Sequence, residues 1–198
     1  MSYSSGLPGY PNEGLRSFGC VGVIVFAVLT GAVAAGLYFG RDTDMDHSHV
    51  VVPQTLAGRA RITDPDFQAT ADEQVARLKK QAPNATGAIS AFYGIPDKQD
   101  VIMITGLSAS MATSAVVVRQ SFAGLADSGA KVTNMRPTET GPFGGAAACA
   151  DADIDDVPAG VCVWADDDTF GQIVVYFRSR DEAEAEFEEF RSEIEQPA

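Results

Sequence analysis

The sequence predicts an α+β fold: an N-terminal transmembrane helix followed by a small antiparallel-sheet domain with helices packed on one face. Three observations predict it. Residues 17–40 carry no charge, and Arg16 and Arg41 bracket them. Short β-prone runs separated by turn signals then succeed one another, with no long βαβ series and no internal repeat. Three helical stripes stand among those runs, the last of them close to the C-terminus.

Residues 1–16 are rich in Ser, Gly, Pro and Tyr without apolar periodicity, so they read as a disordered cytoplasmic tail. As a helix, residues 17–40 are long enough to cross a hydrocarbon layer of about 30 Å. The run is longer than the apolar core of a signal peptide, and Leu37, Tyr38 and Phe39 continue past the cleavage-like Ala32-Val33-Ala34, so it reads as an uncleaved signal anchor. Cys20 precedes the apolar core and is no acylation site. Small residues recur four apart at Ala27, Gly31 and Ala35 and at Ala32, Gly36 and Gly40, a spacing that lets two helices approach and raises the prospect of a homodimer. Residues 41–58 read as an acidic stalk, and residues 59–198 as the folded domain.

Within that domain, Phe67, Ala71, Val75 and Leu78 fall at helical spacing. Thr70 and Glu73 fit a capping box, Lys79 and Lys80 complement the helix dipole, and Pro83-Asn84 ends the helix. Ala88–Tyr93 and Val101–Thr105 are strands around the turn Ile95-Pro96-Asp97-Lys98. Met111, Ala115, Val118, Phe122 and Leu125 mark a second helix, stopped by Gly129. Lys131–Met135 is a strand and Gly141–Gly145 a loop. Ala146–Cys149, Val161–Ala165 and Gln172–Phe177 are further strands. Ser179 and Glu182 form a capping box for a final helix whose inner face is Ala183, Phe187, Phe190 and Ile194.

Charge and cysteine content bound the function. Of 27 acidic and 14 basic side chains, only Glu13 and Arg16 precede the span, so the net charge of −13 belongs to the chain beyond residue 40. That argues against nucleic acid as a partner, so none is expected, and disfavours docking on anionic lipid, while basic partners remain compatible. Cys149 and Cys162 flank a polar stretch with the turn signal Asp-Asp-Val-Pro-Ala-Gly, which would bring the sulfurs together across an antiparallel pair. A disulfide there implies an oxidising compartment. Zinc would need further Cys or His nearby, and the spacing is not that of a redox CxxC. Lysine and arginine near the span ends, Arg16 before it and Arg41, Arg59 and Arg61 after it, point the other way, toward a cytoplasmic domain. The cysteine pair outweighs them, because long domains translocate largely regardless of flanking charge. The expected location is therefore the cell membrane, single-pass, with the N-terminus cytoplasmic and the C-terminal domain outside.

One stretch resembles a known family. Gly141-Pro142-Phe143-Gly144-Gly145, Cys149, Cys162-Val163-Trp164-Ala165-Asp166 and Thr169-Phe170-Gly171 are similar to blocks of an uncharacterised family of actinomycete single-pass membrane proteins. Leu56-Ala57-Gly58-Arg59 and Ala91-Phe92-Tyr93-Gly94 resemble its earlier blocks. The resemblance implies a topology and a paired-cysteine block, and it carries no catalytic residues.

Candidate chemistry is sparse. His47 and His49 are the only histidines, and both lie in the stalk, so an imidazole-based catalytic site within the folded domain is not expected. Asp42, Asp44, Asp46, His47 and His49 form a ligand-rich cluster. It begins like a calcium loop, but His47 stands at the glycine position and Pro53 at the bidentate glutamate position, which leaves loose transition-metal binding. Asp151, Asp153, Asp155 and Asp156 form one acidic loop, and Asp166, Asp167 and Asp168 another; paired carboxylates could serve a hydrolase or bind cations. Trp164 shares a strand face with Cys162 and reads as core packed by the disulfide. The glycine-rich loop 141–145 lacks the Lys and following helix of a phosphate cradle. No cofactor and no enzymatic activity are expected. The expected function is a membrane-anchored, extracytoplasmic binding or accessory module for a protein or cell-envelope partner. The alternatives are a metal-binding or metal-sensing stalk protein and a carboxylate-dependent envelope hydrolase.

Overall fold

The structure is a computed structural model that describes residues 47–111 and 113–197. The expected tail, span and small-residue stripes, and Cys20, Asp42, Asp44 and Asp46, lie outside the described residues. Among the described residues, no helix is long and apolar enough to cross a membrane.

The chain is α+β, built on one six-stranded antiparallel sheet. In chain order the elements are β1 (His49–Val50), β2 (Thr55–Leu56), β3 (Arg59–Ala60), α1 (Pro65–Gln81), β4 (Gly87–Ile95), β5 (Asp100–Ser108), α2 (Ser114–Asp127), β6 (Lys131–Pro137), β7 (Ala146–Ile154), β8 (Val157–Ala165), β9 (Thr169–Tyr176), α3 (Arg180–Ile194) and β10 (Glu195–Gln196). The sheet order is β4-β5-β9-β8-β7-β6. It joins one hairpin, β4–β5, to a four-stranded meander, β6 to β9, with β9 pairing both. α2 carries the chain between the two halves.

The helices do not share one face, which corrects the sequence expectation. α1 and α2 pack on one side of the sheet, against Phe92, Met103, Leu107, Val161, Phe170 and Val174. α3 packs on the other, where Phe187, Phe190 and Ile194 meet Ile102, Ile104, Trp164, Ile173 and Val175. The reason lies in the central strands. Val101-Ile102-Met103-Ile104 and Ile173-Val174-Val175 are apolar at successive positions, and successive side chains point to opposite faces. Both faces must therefore be covered.

Part of the segment expected as a stalk is folded. Residues 47–58 belong to the fold and extend the cover on the α3 face. β1 pairs with β10, and β2 with β3. Val50 and Leu56 are buried, the Val50 N–H donates to Ser108 Oγ at 3.0 Å, and the Tyr93 hydroxyl donates to the Pro53 carbonyl at 2.9 Å. Arg59 bridges Glu186 on α3 and Asp100 on β5, and both partners raise its pKa against the opposing effect of burial.

Helix starts obey local chemistry, with one correction. α1 opens at Asp64, whose carboxylate accepts from the Asp66 N–H at 3.0 Å, with Pro65 in the first turn. Thr70 and Glu73 are not its cap, and the Thr70 hydroxyl donates back to the Asp66 carbonyl. Asp64→Ala is accordingly expected to cost about 1 kcal/mol and Thr70→Ala much less, read by chemical denaturation. The α3 capping box of Ser179 and Glu182 is present in both directions, and its hydrogen bonds hold the Glu182 carboxyl below its ordinary range. α2 starts at Ser114, so Met111 packs ahead of it, and its buried side is Val117, Val118, Ser121, Phe122 and Leu125 rather than a stripe through the exposed Ala115.

Candidate functional site

The densest polar cluster among the described residues forms where the β8–β9 turn meets the end of α3. It begins with turn chemistry. Asp166 follows β8 directly, and its Oδ1 accepts from the backbone N–H groups of Asp168 (2.8 Å) and Thr169 (2.7 Å). Its Oδ2 accepts from the Thr169 hydroxyl at 2.8 Å, and Trp164 Nε1 donates to the same hydroxyl at 3.3 Å.

Arg191 binds this turn to the rest of the chain. Nη2 donates to Asp166 Oδ2 at 2.8 Å, and Nε to Glu195 Oε2 at 2.8 Å. Nη1 donates to the carbonyls of Thr140 and Gly144, each at 3.0 Å. The guanidinium lies 5.2 Å from the Phe143 ring centroid and 5.7 Å from that of Trp164. Arg191 and Glu195 are each 1% exposed. A buried charge is tolerable only when paired and hydrogen-bonded, and a guanidinium supplies the planar fork that four acceptors require.

The glycine-rich loop 141–145 and the segment 164–171 meet here. Gly144 supplies a carbonyl, Phe143 and Trp164 supply rings, and Asp166 and Thr169 supply the turn. The glycines have steric reasons. A Cβ on Gly171 would lie 2.0 Å from the Trp164 ring, and one on Gly145, at φ +80°, would lie 2.2 Å from the Ala165 carbonyl oxygen. Gly171→Ala is expected to displace the indole. It should shift the emission of the single tryptophan and cost at least about 1–3 kcal/mol, the usual penalty for overpacking.

Glu195 is the titratable member. Burial pushes its carboxyl up to about 7 from an ordinary 4.5, against the opposing pull of Arg191, and the neighbouring Asp166 pushes the same way as burial. The folded state therefore holds an extra proton between those values. This contribution to stability is complete below about pH 4.5 and is lost as pH rises through about 7. Glu195→Gln keeps the shape and cannot ionise. It is expected to remove that decline and to exceed the parent protein in stability at pH 8 by on the order of 2 kcal/mol, read by urea titration at pH 5 and pH 8.

The cysteines and acidic residues singled out in the sequence take up separate places. Cys149 and Cys162 are directly opposed on β7 and β8, 4.1 Å apart between Cα atoms, and form a disulfide. Trp164 comes next on the same face, completely buried and edge-on to Phe187. The first acidic loop is only partly a loop. Asp151 and Asp153 lie within β7, and the turn is Asp155-Asp156, both left-handed, as a two-residue hairpin requires. Asp151 accepts from the Arg180 N–H at the start of α3 and from Asn134, which together hold its carboxyl below the usual range. The two acidic turns lie at opposite ends of β8, so the structure does not bring them together. His47 does meet the second: its Nδ1 is 2.8 Å from Asp168 Oδ1. His49 is in β1, paired with Gln196. Among the described residues, no group of three His, Cys, Asp or Glu is arranged to hold a metal ion.

Arg191 and Glu195 are not legible in the sequence as site residues. They look like the polar face of an amphipathic helix, and their partners lie up to 51 positions away. The one local signal is their i, i+4 spacing with opposite charge.

Comparison with family models, with curated proteins and with solved structures finds no match to this chain.

Proposed function

We propose that the protein is a single-pass membrane protein whose folded domain lies outside the cytoplasm and serves as a binding or accessory module. The Cys149–Cys162 disulfide carries this reading, because such bridges form and persist in oxidising compartments. The uncharged run 17–40 supports the anchor. The hydrogen-bonding of Asp151 and Asp166 to backbone, Asn134, Thr169 and Arg191 supports a structural role for these carboxylates over hydrolysis.

The test reads side and redox state separately, because both sulfurs are buried. Ala185 is exposed on α3, so a Cys20→Ser, Ala185→Cys variant carries a thiol that a membrane-impermeant maleimide reaches in intact cells only if the domain is outside. Acid quenching and then alkylation in denaturant of the Cys20→Ser protein without the added cysteine, with and without prior reduction, reports the Cys149–Cys162 pair. Labelling of intact cells together with thiols that appear only after reduction is the expected result. Labelling only after lysis, with thiols reactive before reduction, overturns the reading.

A metal-binding reading draws on one observation, the contact of His47 with Asp168. It requires stoichiometric zinc or nickel binding that is lost in a His47→Ala, His49→Ala variant.

A further inference from the structure

Residues 47–57 form a strap across the C-terminal end of α3. The Val51 N–H donates to the Ile194 carbonyl at 2.8 Å, Val50 stands opposite Glu195 in the β1–β10 ladder, and the Ala57 N–H donates to the Glu193 carboxylate at 3.2 Å. Val50 also reaches the main sheet. Its N–H bonds to Ser108 Oγ, and its side chain lies over Gly106 on β5, where an added Cβ would come 3.3 Å from Val50 Cγ2. At the outer end of the strap His47 meets Asp168. β1 and β10 have two residues each, so their ladder is the slightest of the elements that cover Glu195.

Beneath the strap the charges balance only when one carboxyl is protonated. Arg191, Asp166 and Glu195 are all buried, and among the described residues Arg191 is the one cation paired with either carboxylate. With Glu195 ionised the cluster holds one cation and two anions away from water, an imbalance relieved by taking up a proton or by reaching solvent. Asp166 accepts three bonds besides that from Arg191, whereas the Glu195 side chain accepts from Arg191 alone, so Glu195 is the group that takes the proton. Glu195 faces Arg191 from α3 and Asp166 from the β8–β9 turn. From β1 the next ladder position holds His49, which is exposed, and the 140–144 loop brings backbone carbonyls and the Phe143 ring to Arg191. α3 and β8 are held by the apolar core of this face, so water reaches the Glu195 carboxylate most readily where the short β1–β10 ladder lifts.

We propose that residues 47–53 are a proton-controlled latch, closed on the end of α3 while Glu195 carries its proton and released when Glu195 ionises. Release changes how far the domain can stand from its anchor. In sequence, six residues, 41–46, separate His47 from the uncharged run 17–40, a reach of at most roughly 20 Å, and freeing the chain through Pro53 raises this to roughly 45 Å at about 3.4 Å per residue. That consequence rests on the reading of residues 17–40 as a membrane anchor; the latch itself does not.

The test is hydrogen exchange of the full-length protein in detergent solution at pH 6 and pH 8, read by mass spectrometry and corrected for the intrinsic pH dependence of amide exchange. Peptides over residues 48–52 report the latch, and peptides over residues 159–165 of β8 report opening of the whole fold. A carboxyl that titrates near 7 under the closed strap returns to its ordinary range once wetted. The opening constant of the latch is therefore expected to rise about tenfold between pH 6 and pH 8, with residues 48–52 exchanging well before β8 at both. Glu195→Gln is expected to abolish that rise, and His47→Ala, which removes the other titratable contact of the strap, to leave it in place. Exchange of residues 48–52 no faster than that of β8 overturns the proposal, because the strap would then leave only with the whole fold. So does a rise that is absent from the parent protein, that persists in Glu195→Gln, or that vanishes in His47→Ala. Each of these outcomes is separate from the maleimide result, which bears on the location alone.

Discussion

Replacing Arg191 with methionine is expected to destabilise the domain by about 3–5 kcal/mol, the range for breaking a buried ion pair from one side. Methionine fills much of the same volume and offers none of the donors. The Asp166 carboxylate would keep its bonds to Thr169 and to the turn N–H groups but lose its counter-charge. The Thr140 and Gly144 carbonyls would lose the donor that fastens the 141–145 loop to α3. Glu195 would lose the one partner that favours its ionisation over burial, so its carboxyl would rise further. Arg191→Lys is expected to recover little, because an ammonium cannot reach four separated acceptors as a planar fork does. The measurement is a urea titration monitored through Trp164, whose ring lies against the guanidinium. A loss below about 1 kcal/mol, the scale of an exposed pair, would show that Arg191 does not tie the turn, the loop and α3 together.

The second large effect is expected from the disulfide. The bridge spans 13 positions, close to the 15-residue loop for which the chain-entropy model gives about 3 kcal/mol. Here it joins two strands already held in register, from Ala146↔Ala165 to Ile154↔Val157, so the native state changes little when it opens and the effect falls mainly on the unfolded chain. A Cys149→Ala, Cys162→Ala variant also leaves space against Trp164 and Phe187. Loss of about 3 kcal/mol is therefore expected, with a fall in Tm of roughly 6–12 °C for a domain of this size. Comparing that variant with the reduced parent protein separates the two contributions, because only the variant carries the cavity. Unchanged stability in both would mean that the bridge does not constrain the unfolded chain.

The elements legible in the sequence are those specified locally. The α3 capping box needs only Ser179 and Glu182, three positions apart. The β7–β8 hairpin needs two apolar runs and a turn, and the cysteines then fall as an opposed pair. The α1 start is misleading in sequence because Thr70 and Glu73 offer the same local pattern as a true cap, and only the helical conformation of residues 65–69 shows that the pattern falls inside the helix. The double cover of the sheet is written in Ile173-Val174-Val175, since a strand with one wet face alternates. Residues 47–58 hold none of the acids of the expected stalk and include Val50-Val51-Val52 and Leu56, and the contacts that fold them in are long-range: β1 on β10, Tyr93 on Pro53, and Arg59 on Glu186.

The sequence by itself determined the α+β class, the succession of the three helices and the six strands of the main sheet, the paired cysteines and the face on which Trp164 is buried. These depend on periodicity, turn residues and spacings within a dozen or so positions, which the backbone converts directly into geometry. Only the tertiary structure decided that helices cover both faces, that Arg191 closes on Asp166, Glu195 and the 140–144 loop, and that residues 47–57 lie across the end of α3. Each of these rests on partners far apart in the chain. Which polar side chain is paired or orphaned is set by how the layers stack, because a buried polar atom is satisfied only by the groups that the fold brings against it.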